Sequence, residues 1–128
     1  MAHVTLVIDA ANVVGSRPDG WWRDRPGAAA RLLSQVATAL RAGALDAPVV
    51  VVLEGAARAG APAGPGEVAG LTVTHAERDG DSAILSEAEA LVRAGTGAEV
   101  VTADRGLRER VTLAGATVLP PRWLLDRL

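Results

Sequence analysis

No cysteine occurs among the 128 residues, so disulfide bonds and thiolate metal ligands are excluded. Lysine, phenylalanine and tyrosine are also absent, and three tryptophans supply all the aromatic rings. All 13 basic residues are arginine, and the net charge is -2. That balance implies no basic face of the kind that marks nucleic-acid binders, and base stacking has few platforms. Heavy use of Ala, Gly, Arg and Val without Lys is the pattern a genome-wide codon bias produces. Arginine still grips phosphates bidentately wherever it stands. No apolar run approaches the ~20 residues that cross a bilayer. The first apolar run lacks a basic leader and is interrupted by Asp9, which is not the pattern of a signal peptide. A cytoplasmic protein is expected. Any metal would be held by oxygen donors or by the two histidines, His3 and His75.

What remains is apolar: 49% of the residues, enough for one core and one domain over 1–128. Val4 to Ile8 is a continuous run of β-branched and apolar residues that ends in Asp9, Ala10, Ala11 and Asn12. Such a run reads as a strand buried on both faces, which belongs to a parallel sheet covered by helices. Val49–Leu53 reads the same way and ends at Glu54. Leu71–His75 alternates and is expected as a shorter strand at a sheet edge. Glu99–Thr102 and Ala116–Leu119 complete five expected strands.

Helical stripes lie between them. One carries Ala29, Leu32, Leu33, Val36, Ala37 and Leu40, with Asp24 as N-cap, Pro26 in the first turn and Gly43 as stop. A second carries Ile84, Leu85, Ala88, Leu91 and Val92; a third, short, carries Leu107, Val111 and Leu113. Pro120-Pro121 ends the fifth strand before a last helical turn at Trp123. The expected fold is an α/β/α sandwich with a mostly parallel sheet. Gly55–Gly70, rich in Ala, Gly and Pro without a period, reads as a flexible loop. The stretch from Val14 to Gly27 reads as a long loop, and long loops in small domains are often functional. Trp21 and Trp22 in it either plug the core or grip substrate beside Arg17, Arg23 and Arg25.

Ligands bind beyond the carboxyl ends of parallel strands. Asp9, Glu54, Asp79, Asp81 and Asp104 all fall within a few residues of such an end. Asp79, Asp81 and Asp104 could each be a helix N-cap, and Glu54 a solvated loop residue. Asp9 is different: it follows core residues, and no helix start is evident for many residues after it. If the first and fourth strands are neighbours, Asp9 and Asp104 project roughly 5 Å apart. At an effective dielectric near 20, two carboxylates there repel by roughly 3 kcal/mol. Such a pair takes up a proton or holds a cation. Oxygen-only ligands fit Mg²⁺ or Mn²⁺, which act on phosphates.

Val7-Ile8-Asp9-Ala10-Ala11-Asn12-Val13 resembles the opening motif of NYN domains, a branch of the PIN-like nuclease superfamily. The run from Val100 through Thr102 and Asp104 to Val111 is similar to the late motif of that group, in which a strand ends in Thr-x-Asp before a helix. Asp81-Ser82-Ala83-Ile84 is similar to its middle motif. The resemblance, nearest to the YacP-like branch, implies a sheet of order 3-2-1-4-5. It also implies a Mg²⁺- or Mn²⁺-dependent ribonuclease site at Asp9, Asp81 and Asp104, assisted by Asn12. Two departures stand out. Ala10-Ala11 replaces the usual Gly-Tyr, and the helix after Pro26 carries no acid through Arg41, for which Asp24 or Glu54 are candidate substitutes.

The leading expectation is a metal-dependent nuclease acting on RNA, with Arg17, Arg23, Arg25, Arg105 and Trp22 as substrate contacts. The alternatives are a nucleotide pyrophosphohydrolase using the same carboxylates, and a non-catalytic RNA-binding module. No membrane partner is expected. The apolar tail with Trp123 and Leu128 could close the core or form a homodimer contact; His75 is expected in a structural role.

Overall fold

A computed structural model describes residues 4–128. Thr5–Asp9 (β1) and Val49–Leu53 (β2) are buried at every position. The apolar stretches Leu6–Ile8 and Val49–Leu53 within them require helices on both faces, and Thr5 and Asp9 are buried with them at the ends of β1. Successive side chains point to opposite faces. Leu6 and Ile8 join Val49, Val51 and Leu53 in one core, while Val7 joins Val50 and Val52 in the other.

The remaining strands are β3 (Gly64–Pro65), β4 (Leu71–His75), β5 (Ala98–Val101) and β6 (Thr117–Leu119). The sheet has six strands in the order β3-β4-β2-β1-β5-β6, parallel except for β3. The expected count of five is therefore corrected to six. A two-residue strand made of glycine and proline has no side-chain alternation to reveal it. It also displaces β4 from the edge, pairing Gly64 with Val73 and Pro65 with Thr72. Proline, lacking an N–H, suits an outermost strand.

The helix α1 (Ala10–Gly15) and the long helix α2 (Arg25–Ala42) cover one face of the sheet, with Ala29, Leu32, Val36 and Ala37 turned inward. Helix α2 starts at Asp24, whose carboxylate accepts from the Gly27 N–H at 2.9 Å, and ends at Gly43 with φ 77°. Helices α3 (Gly80–Arg93) and α4 (Arg105–Leu113) cover the other face through Ile84, Ala88, Leu107 and Val111. Leu113, expected in that stripe, is 89% exposed. Two residues beyond Val111, it falls on the opposite side of the helix. The terminal helix α5 (Pro121–Leu125) returns to the first face, where Trp123 and Leu128 pack against the core.

The stretch after Glu54 is not a structureless loop. Gly55–Gly60 forms a 3-10 helix before β3. Gly60 lies against α2 so closely that a Cβ there would overlap the Pro26 carbonyl and the Ala29 side chain. Small residues here serve backbone approach, which leaves no hydrophobic period in the sequence.

Candidate active site

Strand β1 passes directly into α1, so the expectation of no helix after Asp9 is corrected. Asp9 is the N-cap: its carboxylate accepts from the Asn12 N–H at 3.3 Å. A helix of six residues is too short to declare itself by periodicity. Asp9 is nonetheless more than a cap, being only 4% exposed. Its second oxygen accepts from the buried Thr102 hydroxyl at 2.8 Å. That same hydroxyl accepts from the Asp104 N–H at 3.1 Å. One residue away, the Ala103 N–H donates to the Asn12 side-chain oxygen at 2.9 Å. Because β1 pairs with β5, the ends of both strands leave the sheet side by side, and these bonds latch them together.

Burial pushes the Asp9 carboxyl up from 3.8 to about 6; bonds from Thr102 and Asn12 oppose this, and the charges of Asp81 and Glu54 add to it. Asp81 is also raised, first by burial and next by Asp104, against the pull of Arg110. The Arg110 guanidinium stands 3.5 Å from the Asp81 carboxylate. Glu54 leaves β2 and accepts from the Gly80 N–H at 2.9 Å, which fixes it at the start of α3. Gly80 permits this approach, since a Cβ there would lie 2.9 Å from a Glu54 oxygen. Asp104 caps α4 through the Leu107 N–H at 2.8 Å. Asp9 therefore feels Asp81 and Glu54, and Asp81 feels Asp104 and Glu54, along one rim. Asp104 is not among the charges that shift Asp9, so the expected direct pair of Asp9 with Asp104 is corrected to a chain of carboxylates that runs through Asp81.

The other acids lie outside this chain of carboxylates, although the charge of Asp79 also raises Asp81. Asp79 is exposed and caps α3, and its bonds from the Ser82 N–H and hydroxyl lower its pKa. Asp24 caps α2 and is not among the charges that shift Asp9 or Asp81. It does not take the place of the acid missing from that helix. The His75 ring lies 2.7 Å from the Ala61 carbonyl oxygen, a bond that holds the segment before β3. His3 lies outside the described residues.

Among the described residues, no three acidic or histidine side chains stand close enough to enclose an ion by themselves. The donor chemistry still suits a hard cation. Each carboxylate oxygen of Asp9 carries one hydrogen bond and keeps a lone pair. Mg²⁺ is commonly held by one or two carboxylates, with waters and substrate phosphates completing its shell. An open rim of mutually repelling carboxylates fits that mode and not a closed cage.

Beside Glu54 opens a cleft of ≈ 210 Å³, lined by Ala10, Ala11, Trp21, Arg25 and Arg78 among others. The Arg25 guanidinium lies 5.2 Å from the Trp21 ring centroid. Trp22 stands edge-on to Trp21 at 6.0 Å, is 55% exposed, and carries Arg23 at 5.8 Å. Of the residues expected to contact substrate, Arg25 lines the cleft. Arg17 is bonded to Gln35 at 2.8 Å, Arg23 and Trp22 face outward, and the exposed Arg105 follows Asp104 at the start of α4. Trp21, not Trp22, forms the wall. In the sequence, Thr102 stands only at a strand end and in the Thr-x-Asp motif, with no role assigned to it, and none is assigned to Gly80, Arg78 or Arg110. Only Thr102 had a further signal: a hydroxyl directly after the buried pair Val100 and Val101 must have a partner.

The arrangement defines an α/β protein with helices on both faces of a mostly parallel sheet and carboxylates gathered at one rim. No protein-family model and no curated protein matches the sequence. The fold is shared with Rae1 (YacP) from Bacillus subtilis. Two crystal structures of that protein, one of a point mutant, superpose with TM-scores of 0.73 and 0.72 at 21% and 20% identity. The matches cover 96% and 95% of this chain and 73% and 71% of those chains.

Proposed function

We propose that the chain is a Mg²⁺- or Mn²⁺-dependent nuclease that hydrolyses phosphodiester bonds in RNA. One observation carries the reading. Asp9 is buried at the end of the central strand within the field of Glu54 and Asp81, and the protein holds it there through Thr102. A raised pKa of this origin measures the cost of keeping negative charge without a counter-ion. Carboxylates perturbed by burial and by one another mark a candidate for a working site. The three motifs similar to NYN domains, together with the fold shared with Rae1 (YacP), support the same reading.

Asp9, Asp81 and Asp104 would hold the metal, one or two of them directly and the rest through its waters, with Glu54 beside them. Bound there, the ion would neutralise charge on a phosphate oxygen and make its water acidic. Asp81, whose carboxyl is raised by burial and by Asp104, is alternatively the candidate to take a proton from the attacking water. Asn12 orients the loop that carries Asp104 through Ala103, and its amide NH₂ is left to donate on the substrate side. Arg25 and Arg105 would meet phosphates.

The test uses purified protein, end-labelled single-stranded RNA and Mn²⁺. Cleavage is expected, with loss in EDTA and a drop of at least a hundredfold in Asp9→Asn and Asp104→Asn. RNA left intact by the wild type, or variants that match it, would overturn the reading. Release of pyrophosphate from nucleoside triphosphates without RNA cleavage would assign the same carboxylates to a pyrophosphohydrolase.

A further inference from the structure

We propose that the cleft between α1 and the Trp21–Arg25 segment seats one unpaired nucleobase, next to the phosphate held at the acidic rim. The inference rests on the nuclease reading and adds a subsite to it. Position comes first. Ala10 follows Asp9 directly, and Glu54 belongs to both the cleft and the rim, so the two are continuous. Size comes second. At ≈ 210 Å³ the cleft is smaller than the roughly 300–1,000 Å³ of pockets that enclose whole small molecules. It has room for one ring system and not for a nucleotide with its phosphates.

Chemistry narrows the occupant. The floor is apolar, built from Ala10, Val14 and Ala29. One wall carries two planar groups, the Trp21 indole and the Arg25 guanidinium 5.2 Å from its centroid. Aromatic rings and guanidinium planes are the surfaces on which unstacked bases settle. Arg25 and Arg78 bring positive charge to a rim otherwise lined by carboxylates, on the side where the flanking phosphates of a bound strand would run. Such a cleft admits a base only when it is free of its partner, so the strand is single.

Space at this point depends on small side chains. Ala11 is exposed and borders the cleft without entering the core. Leucine there would fill the cleft and leave Asp9, Glu54 and Trp21 in place. By contrast, Trp21 packs against the core, so its replacement also tests folding.

Binding of a short labelled single-stranded RNA is measured by anisotropy with Mg²⁺ in the Asp9→Asn background, which preserves the oligonucleotide. It is compared with the same oligonucleotide made abasic at each position in turn. One abasic position should weaken binding about tenfold, the scale of one base stacked on an aromatic residue. Ala11→Leu and Arg25→Gln should weaken the intact oligonucleotide by a similar factor and make it indifferent to that abasic position. Equal binding of all oligonucleotides would overturn the proposal. So would an abasic effect that persists undiminished in Ala11→Leu, or a nucleoside monophosphate that binds as tightly as the oligonucleotide. Cleavage is read separately with native Asp9. Cleavage without base dependence removes the subsite and leaves the nuclease; base-dependent binding without cleavage removes the nuclease and leaves the subsite.

Discussion

Replacing Asp9 by asparagine should stabilise the metal-free protein at alkaline pH while abolishing activity. The folded pKa of Asp9 is raised from 3.8 to about 6. The favourable contribution of its protonated form is therefore full below 3.8 and is lost as pH rises through about 6. Above that pH the ionised carboxylate costs the native state roughly 3 kcal/mol. Asparagine keeps the shape and the bond from the Asn12 N–H but carries no charge. Its NH₂ would donate to the Thr102 oxygen, which already accepts from Asp104 and has a second lone pair. Reorienting the hydroxyl subtracts about 1 kcal/mol. A net gain of roughly 2 kcal/mol at pH 8, or a Tm higher by roughly 5–10 °C, is expected, turning into a loss of roughly 0.5 kcal/mol near pH 4. Urea or thermal denaturation in EDTA from pH 4 to pH 8 measures it. Stability differences that do not change across that range would refute the electrostatic account of the rim.

Divalent metal should reverse that order. Mn²⁺ or Mg²⁺ at about a hundred times its Kd should stabilise the wild type by roughly 2.7 kcal/mol and Asp9→Asn far less, which calorimetric melting reads directly. Thr102→Val removes the bond that lowers the Asp9 pKa and leaves the Asp104 N–H without its acceptor. The Asp9 carboxyl should titrate higher than in the wild type by carbon-13 NMR, with a stability loss of about 1–3 kcal/mol. Gly60→Ala sets a methyl group against the Pro26 carbonyl, so the Gly55–Gly60 turn must part from α2. A loss of at least about 2 kcal/mol and new protease cutting around that turn are expected, with no change in metal affinity.

The expectations that came closest to the structure concern strands whose chemistry is uniform along their length. Val49–Leu53 admits only a strand covered on both faces, and β1 reads the same way. Helix α2 was legible from both ends, because Asp24 and Gly43 have local reasons to cap it. Features whose meaning lies in contacts with distant residues left no such mark. The Gly64–Pro65 strand, the turn packed on α2 at Gly60, and α1 itself were all missed. Leu113 was misassigned because a helical stripe tolerates an apolar residue on its outer side.

The candidate site divides along the same line. Residue order alone placed an acid after each of several strands, since a chain must turn where a sheet ends and carboxylates suit those turns as caps. It could not tell a cap from a reacting group, because Asp9, Asp24, Asp79 and Asp104 all cap helices. The tertiary structure made that distinction by depth and company. Asp24 caps a helix in isolation and Asp79 caps one in solvent, whereas Asp9 is buried beneath Thr102 and feels Glu54 and Asp81. Charge and hydrogen-bonding capacity belong to a residue wherever it stands. Desolvation and mutual repulsion exist only once separate parts of the chain have been folded against each other.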